Sequence, residues 1–243
     1  MTDGKPKQLC VLCGERAATG GHGDHLPPQC IYPKPRPKNI AWNKVPACIP
    51  CNNAGSKDDE QFKLIIGIST GEFRKETQPV IDALAGTIRN NKRLANQVLG
   101  KYKRGYGRRH GNRVLEPVVA VPFDREAYDR VVQRMIRGLY WQQAGVILPR
   151  DAEIHVVTPE PMDPGLGVQI GALLKVSSRV ELNGGTFVYK VFISDDGTSF
   201  WGLQFFSKHL VFAFVYPPEQ GDLQPLALDL PCIEGEARTN GEH

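Results

Sequence analysis

No stretch of the chain approaches the roughly 18 uninterrupted apolar residues that a membrane-crossing helix requires. The opening MTDGKPKQLC has no apolar h-region, so no secretory signal is expected there. Charge of one sign is also in short supply. Lys and Arg number 30 against 26 Asp and Glu, and a net +4 favours an anionic partner only weakly, so the distribution of charge matters more than its total. Internal repeats are absent. Apolar residues make up 41% of 243 positions, enough for a packed core and too many for global disorder. One large domain or two modest ones are expected at this length.

What is present begins with cysteine. Four of the six cysteines fall in two CxxC pairs, Cys10-Val-Leu-Cys13 and Cys48-Ile-Pro-Cys51. Without a signal, such pairs point to a reducing cytoplasm, where they serve as metal ligands more often than as disulfides. Each pair sets two thiolates about one tight turn apart, so all four can reach one tetrahedral zinc at about 2.3 Å. Gly14, directly after the first pair, suits a knuckle that needs positive φ. Residues 1–57 are rich in Cys, Gly, Pro and Asn and carry little apolar periodicity, so a bound Zn2+ is expected to hold them. With four sulfur ligands the zinc is closed to water and therefore structural.

Beyond residue 57 the pattern changes. A helix is predicted from about Asp59, with Phe62, Ile65, Ile66 and Ser69 inward, and another helical stretch over 78–99. A third, clearer helix starts at an Asp124 N-cap, carries Tyr128, Val131, Val132, Met135, Ile136, Leu139 and Tyr140 as an apolar stripe, and ends near Gly145. Strands are predicted at 153–157, 168–176, 179–182, 186–193, 200–206 and 210–216, with Asn183-Gly-Gly and Asp195-Asp-Gly as turns. The expected fold class is α+β. An N-terminal four-cysteine zinc module of treble-clef type leads to a helical middle, then to an antiparallel sheet packed with the third helix. The expected segments are 1–70, 71–115 and 116–243, with an irregular Pro- and Glu-rich tail. Cys30 and Cys232 read as small buried side chains, and His155 and His209 receive no role.

Between the knuckles lies Gly23-Asp24-His25-Leu26-Pro27-Pro28. Asn43 precedes Cys48 by five residues, and Asn52 follows Cys51 directly. An imidazole can take a proton from water, while a carboxylate and an amide carbonyl are hard oxygen ligands suited to magnesium. The ordered set CxxC, Asp-His, Asn, CxxC-Asn resembles the HNH (ββα-metal) endonuclease family, in the zinc-bearing subtype that includes phage junction-resolving endonucleases. It covers about residues 8–66. The resemblance implies His25 as general base, Asp24 and Asn52 as ligands of a catalytic Mg2+ or Mn2+, and Asn43 as the residue orienting the histidine loop. The helix from Ser56 to Ile66 would be the α of ββα. The chain departs from the family with Asn at the last position, where His is more frequent, and with extra prolines at 33, 35 and 37.

A basic run follows at 101–113, KYKRGYGRRHGNR, with Lys101, Lys103, Arg104, Arg108, Arg109 and Arg113 interleaved with tyrosines. Cations for phosphates and aromatic faces for bases are the groups nucleic-acid grooves use. Lys34, Arg36 and Lys38 form a second, smaller patch. The expected activity is metal-dependent hydrolysis of phosphodiester bonds in nucleic acid, DNA before RNA. A homodimer would make two-strand cleavage by a single-metal centre easier. The competing expectations are a non-catalytic zinc-dependent nucleic-acid-binding module and a zinc-organised protein-interaction adaptor.

Overall fold

The computed structural model describes residues 8–19, 23–32, 34, 42–69, 78–108, 115–159 and 162–218. The prolines at 33, 35 and 37, together with Arg36, Lys38, Arg109, Arg113, Cys232 and the tail beyond 218, lie outside the described residues. The chain opens with two short strands, β1 (Gly23–His25) and β2 (Lys44–Pro46), and two helices, α1 (Ile49–Ala54) and α2 (Ser56–Ser69). The helices α3 (Gln78–Asn90) and α4 (Lys92–Lys101) precede a ribbon of β3 (Lys103–Arg108) and β4 (Leu115–Ala120). The long helix α5 (Arg125–Ala144) then leads to β5 (Glu153–Val157), α6 (Pro164–Val176), β6 (Ser178–Leu182), β7 (Phe187–Ile193), β8 (Ser199–Phe205) and β9 (His209–Tyr216). The fold is mixed α+β, and among the described residues no helix is long and apolar enough to cross a membrane.

The last five strands form one antiparallel sheet in the order β5-β9-β8-β7-β6. Helices cover both of its faces, and strand alternation divides the side chains between them. Trp201, Leu203 and Phe205 of β8 and Val211, Ala213 and Val215 of β9 point to α5. Phe200, Phe212 and Phe214 point the other way, onto Ile170 and Leu173 of α6. With both faces buried, the central strands are apolar almost without interruption. The helix α5 has the expected bounds: Asp124 accepts from Ala127 N–H at 3.0 Å, and Gly145 closes the far end.

Two expectations need correction. Residues 168–176 are helix, within α6, and not strand. Asp163 caps that helix by accepting from Gly165 and Leu166 N–H, and Pro164 opens it, so the start signal lies outside the apolar run. The stretch 78–99 is two helices. Asn91 breaks it by leaving helical geometry (φ −117°) and accepting from Leu94 N–H to cap α4. On α2, Leu64 is fully buried against Leu84 and Leu94, while Ser69 is exposed.

One continuous core joins the two ends of the chain. Val11, Leu26, Ile31, Tyr32 and Val45 from the cysteine-rich segment, with Phe62 and Ile66 of α2, pack with α5 and the sheet. His209 ties the same layers by polar contacts that sequence reading left unassigned. Its Nε2 lies 2.6 Å from the Tyr128 hydroxyl, and its Nδ1 lies 2.9 Å from Ser69 Oγ. Burial lowers its pKa to about 4. The unfolded chain, with an ordinary histidine pKa of about 6.5, binds the proton first. Stability from this neutral ring is therefore whole above pH 6.5 and is lost as pH falls toward 4. The ring is half-buried by area, so solvent relieves part of the penalty, and the expected loss is about 1–3 kcal/mol. Urea unfolding at pH 7 and pH 4, compared with His209→Gln, measures it. An unchanged pH dependence in the variant would remove His209 as the cause.

Candidate functional site

The two CxxC pairs form two turns that meet. In the first, Gly14 N–H donates to Cys10 O at 2.8 Å, with Gly14 at φ +69°, the left-handed conformation expected of a knuckle. In the second, Cys48 caps α1, and Asn52 N–H donates to Cys48 O at 3.0 Å. Val11 N–H reaches Pro46 O at 2.9 Å, which fastens the first turn to β2. The sulfurs of Cys10, Cys13, Cys48 and Cys51 all lie within 4.8 Å of one another. A tetrahedral zinc at about 2.3 Å needs sulfurs about 3.8 Å apart. The donor set fits, and this group can hold a metal ion such as zinc. Burial works against ionising Cys13, but the backbone N–H groups of Glu15 and Arg16 and the thiols of Cys10 and Cys51 outweigh it and lower that thiol to about 7.

Between the turns, β1 and β2 pair antiparallel, with Asp24 opposite Val45 and His25 opposite Lys44. Leu26 N–H continues the pairing to Asn43 O at 2.9 Å. Asn43 thus ties the histidine loop through its backbone carbonyl. Its side chain is used elsewhere, in a reciprocal amide pair with Gln142 of α5 (2.8 and 2.5 Å). Alternation separates the two candidate groups. Asp24 is buried at 7% exposure, while His25 is half-buried with its ring edge-on to Trp42 at 6.4 Å. Asn52 is half-buried on α1, one residue past the last knuckle cysteine.

Asp24 turns toward α5 and α2. Its Oδ1 accepts from His25 N–H at 3.0 Å, and Arg134 Nε lies 2.8 Å from its Oδ2, close as an ion pair though not aligned as a hydrogen bond. The same guanidinium bonds Asp59 of α2, so one buried cation lies between two carboxylates. Burial pushes Asp24 up to about 6, and the charge of Asp59 adds to this while Arg134 opposes it. Burial also raises Asp59 against the pull of Arg134. Gly55, between α1 and α2, leaves room for the cation: a Cβ there would lie 1.4 Å from Arg134 Nη1.

This arrangement does not fit a catalytic divalent ion on Asp24. Both of its oxygens are engaged, and a guanidinium stands where a metal would bring its charge. Among the described residues, the four cysteines are the one group of three or more His, Cys, Asp or Glu side chains close enough to share a metal. Arg134, Asp59 and Gln142 escaped sequence reading. A signal existed for Arg134, which stands three residues after Val131 and so falls on the inward stripe of α5.

A groove of about 930 Å³ opens beside Asp59, lined by Tyr32, Lys34, Lys63, Asn91 and Lys92 among others. Lys63 Nζ donates to Thr87 Oγ1 at 2.6 Å across it. None of the described members of the 101–113 run lines it: Lys101, Lys103 and Arg104 are exposed, at the end of α4 and on β3, and Arg108 ends that strand. No family model matches the chain, and neither the curated proteins nor the solved structures contain a match.

Proposed function

We propose that the chain is a nucleic-acid-cleaving protein of HNH type, with His25 as general base and a structural zinc on Cys10, Cys13, Cys48 and Cys51. The observation that carries this reading is the hairpin. Two CxxC turns, four cysteines in all, hold a β1–β2 pair that ends in His25, ties its loop to Asn43, and runs directly into a helix bearing Asn52. Knuckle, hairpin and helix in that order support a treble-clef module on which ββα chemistry is built. A neutral His25 takes a proton from water, the water oxygen bonds to phosphorus, and the ester P–O bond breaks as the leaving oxygen takes up a proton.

One observation favours a second reading, a zinc-dependent module that binds nucleic acid without cutting it. Asp24, the expected metal ligand, is instead part of a buried ion cluster that braces β1 against α5. Incubating the zinc-loaded protein with supercoiled plasmid, branched DNA and structured RNA, in magnesium or manganese, separates the two. The nuclease reading expects cleavage that falls about 10²–10⁴-fold in His25→Ala at unchanged zinc content. Salt-dependent binding with every substrate intact would leave the binding module, and no salt-dependent binding at all would leave the adaptor.

A further inference from the structure

From Lys103 the described part of the basic run is strand and not loop. Its first half is β3, paired over six residues with β4 in a ribbon whose partners run from Lys103↔Ala120 to Arg108↔Leu115. The residues from Lys101 to Tyr106 are exposed, so little of the chain packs against this strand. Alternation then sorts the run into two rows. Positions 104, 106 and 108 of the strand read Arg-Tyr-Arg, and positions 103, 105 and 107 read Lys-Gly-Gly. Arg104 Cζ lies 5.7 Å from the Tyr102 ring centroid, which places both side chains on one side. Tyr106 is 75% exposed and Tyr102 41%. Register brings Pro117 and Leu115 beside Tyr106 and Arg108, and Leu115 is exposed as well. From 101 to 115 the sequence holds six Lys and Arg and no Asp or Glu.

Among the described residues, nothing packs over the exposed rings of Tyr102 and Tyr106 with the Arg104 guanidinium between them. Such a row suits a partner that offers flat π-faces at intervals along a phosphate backbone, which is an unpaired nucleic-acid strand. In a duplex the base faces are stacked on each other and closed to tyrosine. We propose that the Tyr102–Arg104–Tyr106 face of the β3–β4 ribbon is a stacking platform for a single-stranded segment of nucleic acid. The inference rests on the reading of the chain as a nucleic-acid-cleaving or nucleic-acid-binding protein, and it assigns the strand state of the substrate. An unpaired DNA strand and an unpaired RNA strand share this chemistry.

The test is fluorescence anisotropy of the full zinc-loaded chain without added magnesium. The probes are a 20-nucleotide deoxythymidine strand, the matching uridine strand and a 20-base-pair duplex, each titrated at several salt concentrations. The expected result is tighter binding to the single strands. Tyr106→Ala should weaken it about 5- to 150-fold with no change in salt slope, because a ring carries no charge. Tyr106→Phe should restore it. Arg104→Ala should lower the salt slope by about 0.7, one phosphate contact on a single strand. Gly105→Val lies on the other face, where a Cβ would meet nothing within 4 Å, and should leave affinity unchanged. Single-strand affinity unchanged in Tyr106→Ala would overturn the proposal, as would a duplex that binds more tightly and loses as much. The deoxythymidine and uridine arms tell DNA from RNA. Binding is read without magnesium, so a failed nuclease reading shows as a wild-type chain that leaves every substrate intact while single-strand binding, and its loss in Tyr106→Ala, persist. A failed platform shows as unchanged binding across the ribbon variants.

Discussion

Chelation of the zinc, or Cys48→Ser, should unfold the N-terminal segment. The protein as isolated should carry one zinc per chain. The reason lies in how little else holds residues 8–55. Their strands are three residues long, α1 is six, and an isolated pair of short strands is marginal in water. Structural zinc in small modules binds with an apparent 10–16 kcal/mol, roughly, at neutral pH, and that energy appears as folding energy. Five side chains from Val11 to Val45 do reach the common core, but they are presented to it by the knuckles. Without the metal, the amides of Val11, Gly14, Leu26 and Asn52 should lose their protection from hydrogen exchange, and the melting temperature should fall by more than 10 °C, on the order of several kcal/mol for a chain of this size. The inner strands β8 and β9 should keep more of their protection, since α5 and α6 still cover them. A wild-type chain without zinc, or a melt indifferent to the chelator, would show that the cysteines serve another purpose.

Arg134→Leu should be the most damaging substitution outside the cysteines. Arg134 is the shared cation of Asp24 and Asp59, and its side chain is 12% exposed. Removing one partner of a buried ion cluster leaves uncompensated charge and costs about 3–5 kcal/mol. The loss should depend on pH in a definite direction. Burial already raises Asp24 to about 6 in the presence of Arg134, and loss of the guanidinium raises it further. A carboxyl whose folded pKa is raised destabilises the fold as pH climbs through that value, because the unfolded chain gives up the proton more readily. Urea unfolding should therefore show a larger deficit at pH 8 than at pH 5, and Asp24→Asn added to Arg134→Leu should return part of it. A deficit equal at both pH values would mean that lost packing, and not buried charge, explains the effect.

The sequence by itself determined those features whose cause is local. Cysteines three residues apart can meet a metal wherever the chain goes, so the four ligands were legible from spacing alone. Asp124 and Gly145 bounded α5 because caps act within a turn of the helix, and β-branched and aromatic residues between Asn-Gly and Asp-Gly turns marked β7, β8 and β9. The ribbon was half legible: its cations and tyrosines stood out in the sequence, but nothing in 101–113 named β4 as its partner. The run 168–176 misled, since an apolar stretch without polar alternation carries no period, and the deciding cap lay upstream at Asp163.

Only the tertiary structure decided what Asp24 does. Its neighbours in sequence matched a metal-site pattern, while its neighbours in space, Arg134 and Asp59, stand 110 and 35 residues away and hold its carboxylate as part of an ion cluster. The same holds for Asn43, whose amide is taken by Gln142, and for His209, whose ring joins Tyr128 to Ser69. In each case a polar side chain is settled by whichever partner folding brings near it, because a buried polar group without one costs more than any local preference returns.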